Sequence, residues 1–130
     1  MNNLIIYAHP NNRSFNNSIL EKIIETDKKN GHATEVRNLY QINFQPVLAA
    51  ADFESLQAGE VPADIRKEQE FIRWADNITF IYPIWWTGMP AILKGYIDRV
   101  FLHGFAYAVT NGKLMPLLKG KSTVIYNTLG

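Results

Sequence analysis

The chain has no cysteine among its 130 residues, which excludes disulfide bonds, thiolate metal sites and cysteine nucleophiles. Neither sign of charge dominates, because 13 Lys and Arg offset 12 Asp and Glu to a net charge of +1. This balance gives no electrostatic reason to expect a nucleic-acid partner or an acidic membrane surface. No apolar run approaches the ~18 residues that suggest a membrane span, and no basic segment with a long apolar run marks a signal peptide. We therefore expect a cytoplasmic chain without membrane insertion.

Three further absences narrow the chemistry. The three histidines, His9, His32 and His103, lack metal-ligand spacing, so no metal is predicted. No G-x-G-x-x-G or Walker sequence is present, which removes the usual glycine-rich dinucleotide and phosphate loops. No Ser-His-Asp arrangement has support beyond the presence of the residue types, and no catalytic side chain is identified.

Hydrophobic residues make up 47% of the chain, and their spacing predicts one α/β domain over residues 1–130. Apolar runs or alternation predict strands at Leu4–Ala8, His32–Arg37, Asn77–Tyr82 and Ser122–Asn127. Apolar residues at helical spacing predict three helices, one beginning at Phe15, one over Asp64–Ala75 and one beginning at Pro90. The alternating order predicts a doubly wound parallel sheet with right-handed crossovers. If its strand order is 2-1-3-4, one of the common doubly wound orders, the first helix lies on one face and the other two lie on the opposite face. Asn38–Pro62 is a long, weakly patterned connection, and Phe105–Pro116 is predicted as a loop with a turn at Asn111-Gly112.

The predicted strand order places a switch point between the first and third strands, where ligands of open α/β sheets bind. One loop there, His9–Ser14, leads into a helix whose free amides at Ser14, Phe15 and Asn16 form an anion pocket. The alternative is that Ser14 only caps the helix and His9 is an ordinary polar loop residue.

The second loop at this edge carries two adjacent tryptophans, Trp85 and Trp86, between Pro83 and Gly88. Both cannot point into a core, and an aromatic wall at a switch point favours a large, flat ligand such as a flavin ring. The alternative is that one tryptophan belongs to the core and the other is exposed by chance. Asp98 and Arg99, further on, are interpreted as a solvated helix face carrying a Lys94–Asp98 pair.

Several blocks occur together in a specific order. They are His9 with Ser14-Phe15-Asn16, Leu39-Tyr40 with Asn43-Phe44 and Pro46, Asp64-Ile65 with Glu68-Gln69, Pro83–Gly88, Pro90–Gly95, Asp98–Phe101 and Phe105-Ala106-Tyr107. With these blocks the whole chain resembles the flavodoxin-like NAD(P)H:quinone oxidoreductases, the group that includes DT-diaphorase.

The resemblance implies a bound FAD or FMN, NADH or NADPH as hydride donor, a quinone or similar flat acceptor, and a homodimer. By position it implies flavin contacts from His9, Ser14, Phe15, Asn16, Pro83, Ile84, Trp85, Trp86, Thr87, Gly88, Thr128 and Gly130, and substrate contacts from Trp86, Phe105 and Tyr107. The family continues beyond the position of Gly130, so the usual fifth strand and last helix are expected to be missing and the domain to be incomplete. An exposed apolar sheet face and weak flavin binding are expected consequences.

Two other functions fit the same residues. The chain is alternatively a flavin-binding regulatory or ancillary subunit of a partner such as a potassium efflux system, with Asn38–Pro62 as its docking surface. A flavodoxin-type electron carrier is a lesser alternative, because its phosphate loop is normally rich in Ser, Thr and Gly and His9–Asn16 is not.

Overall fold

Strands and helices alternate along the computed structural model, which describes residues 1–129. The elements are β1 (Asn2–Tyr7), α1 (Phe15–Lys29), β2 (Ala33–Asn38), α2 (Ala50–Gln57), α3 (Ala63–Trp74), β3 (Asn77–Ile84), α4 (Ala91–Val100), β4 (Tyr107–Thr110), β5 (Lys113–Pro116) and β6 (Ser122–Leu129). The four strands predicted from apolar runs are confirmed, each to within two residues. None of the helices described is long and apolar enough to cross a lipid bilayer.

The main sheet is parallel and has the order β2-β1-β3-β6, which confirms the predicted order 2-1-3-4. The register places Tyr7 of β1 beside Ile81 of β3, and Pro83 and Ile84 of β3 beside Thr128 and Leu129 of β6. Each crossover carries at least one helix, as parallel strands require. The C-terminal ends of β1, β3 and β6 therefore meet at one edge of the sheet.

The two faces of the sheet bury different helices, because successive side chains of a strand point to opposite sides. Ile5, Tyr7 and Ile81 pack with Leu20 of α1 on one face. Leu4, Ile6 and Ile78 pack on the other face with a cluster drawn from α3 and α4, which includes Ile65, Ile72, Leu93, Tyr96 and Val100. This confirms the predicted distribution of helices. Apolar residues of β6 remain exposed, as expected: Val124 by 41% and Ile125 by 55%.

Two segments differ from the prediction. The connection between β2 and α3 contains the helix α2, whose first turn is capped by the Asp52 carboxylate accepting from the Ala49 N–H at 3.1 Å. The predicted loop at 105–116 is a β-hairpin, β4 with β5. Its turn lies at Asn111-Gly112 as predicted, with φ of 53° and 73°, but strands of four residues leave too few positions for a recognisable alternation.

The segment 39–62 is held against α4 by a buried cation. The Arg99 guanidinium donates to both carboxylate oxygens of Asp52 at 3.0 and 2.9 Å, to Asp64 at 2.7 Å and to the Gln45 carbonyl at 2.8 Å. Only 6% of the Arg99 side chain is exposed. The interpretation of Arg99 as part of a solvated helix face is therefore wrong, whereas the exposed Lys94–Asp98 pair on the same helix is confirmed.

Candidate functional site

The loops after β1 and β3 lie side by side at the switch point. His9, at the start of the first loop, has its ring centroid 6.0 Å from that of Trp85 in the second, with the planes tilted by 60°. Both loops leave adjacent parallel strands at the same edge, so their proximity follows from the strand order. The structure thus brings together the two loops that the sequence singled out.

The first loop ends at a helix terminus with unused donors. Ser14 is the N-cap of α1, and its Oγ accepts from the Asn17 N–H at 3.2 Å. The prediction of a free amide at Ser14 is wrong, because the Ser14 N–H donates to the Asn11 carbonyl at 3.3 Å within the loop. The N–H groups of Phe15 and Asn16 have no hydrogen-bond partner among residues 1–129. Phe15 is 71% exposed. Free amides at the positive end of a helix are suited to bind an anion.

His9 is tied to its own loop through Nδ1. This ring nitrogen lies 3.0 Å from the Asn11 N–H and 3.2 Å from the Asn11 carbonyl, so it can accept from the first or donate to the second, according to the tautomer. Both contacts use Nδ1 and leave Nε2 available for a hydrogen bond to a ligand.

The second loop is a two-residue hairpin turn. Trp85 and Gly88 exchange backbone hydrogen bonds of 3.0 and 3.1 Å, and both central residues, Trp86 and Thr87, have positive φ, 52° and 60°. This is the type I′ arrangement, which normally requires Asn or Gly. The turn uses the amides of Trp85 and Gly88, whereas those of Trp86 and Thr87 have no partner in the described chain. Trp86 is fully exposed and Trp85 is 40% exposed.

The backbone strain at Thr87 gives a first prediction. A β-branched residue in the left-handed region costs about 1–2 kcal/mol, so Thr87→Gly is expected to stabilise the fold by about 0.5–1 kcal/mol after the entropy cost of glycine. Urea unfolding followed by circular dichroism measures this change. Gly112→Thr is the matched control, because Gly112 holds the second position of the other hairpin turn, with φ 73°; it is expected to destabilise by about 1 kcal/mol. If Thr87→Gly instead destabilises the fold, the positive φ of Thr87 is not a source of backbone strain.

The start of α1 is tied to the end of β6. The Asn16 side chain is buried, and its Nδ2 donates to Thr128 Oγ1 at 3.0 Å. The Thr128 hydroxyl in turn lies 3.3 Å from Asn16 Oδ1, where it can donate. These two predicted flavin contacts therefore bind each other, and they join the end of the first loop to the C-terminal end of β6. Gly130, the remaining predicted contact there, lies outside the described residues.

Two of the three predicted substrate residues, Phe105 and Tyr107, lie away from the two loops. Phe105 packs against the core on the α3 side, with the Arg73 guanidinium 4.9 Å from its ring centroid. Tyr107 begins β4 and meets His103 edge to face, with centroids 5.5 Å apart. Within the described residues, neither ring makes an aromatic contact with Trp85 or Trp86. Only Trp86 of the three belongs to the two-loop site of one chain.

Two features of this region are not apparent from the sequence patterns. Tyr7 is buried at the end of β1, and its phenolic oxygen lies 3.3 Å from the Ser14 hydroxyl oxygen. A cavity of about 710 Å³ adjoins the first loop, between α1 and the end of β2. Its lining includes His9, Asn12, Asn38, Tyr40 and Gln41. Residues 38–41 could have been suspected only from their position after β2, because carboxamides and one phenol form no recognised motif.

The comparisons with known proteins concern the whole chain. A family model described as a flavodoxin-like fold matches residues 1–130. An NAD(P)H oxidoreductase of Haemophilus influenzae is 47% identical over 131 aligned residues, which cover all of this chain. A ribosyldihydronicotinamide dehydrogenase [quinone] of Mus musculus is 33% identical over 98% of this chain.

Among solved structures, an NAD(P)H:quinone oxidoreductase from Methanothermobacter marburgensis is 35% identical, with a TM-score of 0.90 over 100% of this chain and 67% of its own. The chain spans 65% of the Haemophilus relative and 62% of the mouse relative. The similarity therefore covers all of this chain and roughly two thirds of these proteins.

Proposed function

The chain belongs to the family with a flavodoxin-like fold, whose model matches residues 1–130. We propose that the chain serves as a flavin-dependent NAD(P)H oxidoreductase acting on a quinone or similar flat acceptor. The observation that carries the proposal is the pairing of two loops at the switch point. The free amides after Ser14 and the exposed tryptophans of the next loop meet where His9 approaches Trp85. An anion pocket beside a flat aromatic surface matches a phosphorylated ring system.

The donors and surfaces of the site fit FMN or FAD. The Ser14 hydroxyl and the N–H groups of Phe15 and Asn16 would hold the phosphate, with His9 as a further donor. The rings of Trp85 and Trp86 would flank the isoalloxazine with Pro83, Ile84, Thr87 and Gly88. Thr128, near the end of β6, and Gly130 are further proposed contacts. When bound, the flavin supplies hydride transfer from NADH or NADPH to the acceptor.

The chain's own residues supply placement and polarity. The N–H groups of Trp86 and Thr87 face no partner of the described chain, so they are available to stabilise negative charge at the ring edge. Hydrogen-bonded closure between Trp85 and Gly88 fixes the direction of both amides before a ligand arrives. Trp86 offers an exposed apolar plane against which a flat acceptor would stack, and the stacked acceptor would displace water from it.

We further propose a homodimer in the cytoplasm, in which Phe105 and Tyr107 act on the site of a neighbouring subunit. Neither ring contacts the two-loop site within one chain, whereas Tyr107 is 37% exposed and free to meet another surface. Size-exclusion chromatography with light scattering measures the oligomeric state. A Tyr107→Ala variant that lowers quinone turnover without changing flavin affinity would support a role toward the acceptor.

The proposed function is tested by flavin binding and reduction. Titration of the purified chain with FMN or FAD is expected to quench flavin and tryptophan fluorescence, because two tryptophans border the proposed ring position. NADH or NADPH added anaerobically is then expected to bleach the visible flavin band of the complex faster than that of free flavin. Absence of binding at flavin concentrations up to about 1 mM, an affinity limit of about −4 kcal/mol, would contradict the proposal.

A further inference from the structure

Tyr7 is a buried polar residue directly behind the first loop. It is the last residue of β1, is 1% exposed, and packs with Leu20 and Ile81 on the α1 face of the sheet. Its phenolic oxygen lies 3.3 Å from Ser14 Oγ, and this is its sole hydrogen-bond partner among residues 1–129. Burial raises the pKa of the Tyr7 phenol above its ordinary value; the hydrogen bond with Ser14 opposes this rise and the Glu21 carboxylate adds to it, and the net direction is upward.

The hydrogen bonds around Ser14 fix the direction of its proton. A serine hydroxyl offers one donor and two acceptor positions. The Asn17 N–H occupies one acceptor position at 3.2 Å. If Tyr7 donates, its buried proton is satisfied and the second acceptor position of Ser14 is filled. If Ser14 donated instead, the buried Tyr7 proton would lack an acceptor in the described chain, at a cost of about 1–3 kcal/mol. The first arrangement is favoured and leaves only the Ser14 proton unused.

We propose that Tyr7 is a positioning residue that turns the Ser14 hydroxyl outward as a donor to the phosphate of the bound flavin. The inference rests on the proposed function and deepens it, because it assigns the phosphate end of the ligand to one specific donor. A hydroxyl with both acceptor positions filled can address only an acceptor, and phosphate oxygens are acceptors. Tyr7 does not touch the ligand; it acts through Ser14.

The experiment compares FMN with riboflavin, which lacks the phosphate. Dissociation constants for both are measured by fluorescence titration for the wild type, Tyr7→Phe, Ser14→Ala and the double variant. Tyr7→Phe is expected to weaken FMN binding about three- to tenfold, the value of one hydrogen bond, and to leave riboflavin binding within about twofold. The effects of the two substitutions are expected to be less than additive, because both remove the same oriented donor.

Tyr96→Phe is the matched control. Tyr96 is also a fully buried phenol, but its oxygen has no hydrogen-bond partner in the described part of the chain and it packs on the opposite face of the sheet. The Tyr96→Phe substitution is expected to change the dissociation constant of neither FMN nor riboflavin. Thermal unfolding of each variant establishes that the chain remains folded at the assay temperature.

The outcomes separate the two proposals. A selective loss of FMN affinity in Tyr7→Phe that becomes smaller or disappears once Ser14 is alanine supports the positioning role. Equal weakening of FMN and riboflavin indicates a merely structural role and overturns the inference. Unchanged FMN binding by Tyr7→Phe also overturns it while the proposed function stands. A wild-type chain that binds neither compound overturns the proposed function and this inference with it.

Discussion

Replacing Arg99 with methionine is expected to lower the free energy of unfolding by about 3 kcal/mol, near the lower end of the range for breaking a buried ion pair. Arg99 is 6% exposed and holds Asp52, Asp64 and the Gln45 carbonyl at 2.7–3.0 Å. Methionine preserves much of the side-chain volume, so the decrease in the free energy of unfolding measures the contribution of the guanidinium group. The Asp52 carboxylate, with 13% of its side chain exposed, is left without its cation. The half-exposed Asp64 can return to water, which limits the loss.

The control for this variant lies on the same helix. Lys94 pairs with Asp98 four residues later, with 61% and 37% of the two side chains exposed. Lys94→Met removes the same charge from α4 but is expected to cost only about 0.3–0.5 kcal/mol, as exposed helix pairs do. Urea unfolding at neutral pH measures both variants. Equal losses would show that Arg99 contributes no more than a surface charge and would contradict the proposed role of the network.

The acid dependence of stability gives the Arg99 variant a second signature. The hydrogen bonds from Arg99 hold the pKa of Asp52 below its ordinary value, and the same pair raises the pKa of Arg99. A carboxyl group with a depressed folded pKa contributes stability that is fully present above about pH 4, its unfolded pKa, and is lost as the pH falls through the lower folded value. Stability of the wild type is therefore expected to fall more steeply than that of Arg99→Met as the pH is lowered below about 4.

Arg99 also shows where sequence patterns stop being informative. Its neighbour Asp98 has a partner four residues away, a spacing that any helix makes visible. The two carboxylate partners of Arg99 are 35 and 47 residues distant, and one of them lies on α2, a helix that the sequence did not reveal. Long-range ion pairs leave no local periodicity. The elements of the fold were predictable because apolar periodicity and strand alternation are local. Connection rules restrict the strand order to a few possibilities, of which 2-1-3-4 is a common one for doubly wound sheets.

The candidate site was predictable in its location and not in its detail. His9–Ser14 and Pro83–Gly88 could be placed together, since both follow parallel strands next to the switch point. The conformation of Trp86 and Thr87 could not, because the turn they form is one that their residue types disfavour. The Asn111-Gly112 turn, of the same φ signs, was predictable from its preferred residues. Local rules fail at the turn that carries the proposed ligand surface, where strain is expected to be retained.

A second large effect is expected at Gly95 in α4, where the helix meets Pro46. A Cβ on Gly95 would overlap the Pro46 carbonyl oxygen and Cβ, and would lie 2.5 Å from Pro46 Cα. Alanine would otherwise gain about 1 kcal/mol in helix propensity. Gly95→Ala is nevertheless expected to destabilise by about 2–3 kcal/mol, because overpacking against backbone cannot be relieved by a side-chain rotation. The segment 39–62 must move, and with it the Asp52 carboxylate that Arg99 binds.

Two comparisons make the Gly95 prediction specific. Gly88→Ala adds the same methyl group where the nearest atoms are 3.9 and 4.0 Å away, so it is expected to cost less than about 1 kcal/mol. Pro46→Gly removes the clashing Cβ and leaves the carbonyl, and is therefore expected to restore only part of the stability of Gly95→Ala. Hydrogen exchange should show the loss first in residues 39–62, which close one side of the His9 cavity through Tyr40 and Gln41. A Gly95→Ala chain as stable as the wild type would show that segment 39–62 can move without loss of stability. It would also show that α4 does not hold the Tyr40 and Gln41 side of the cavity in place.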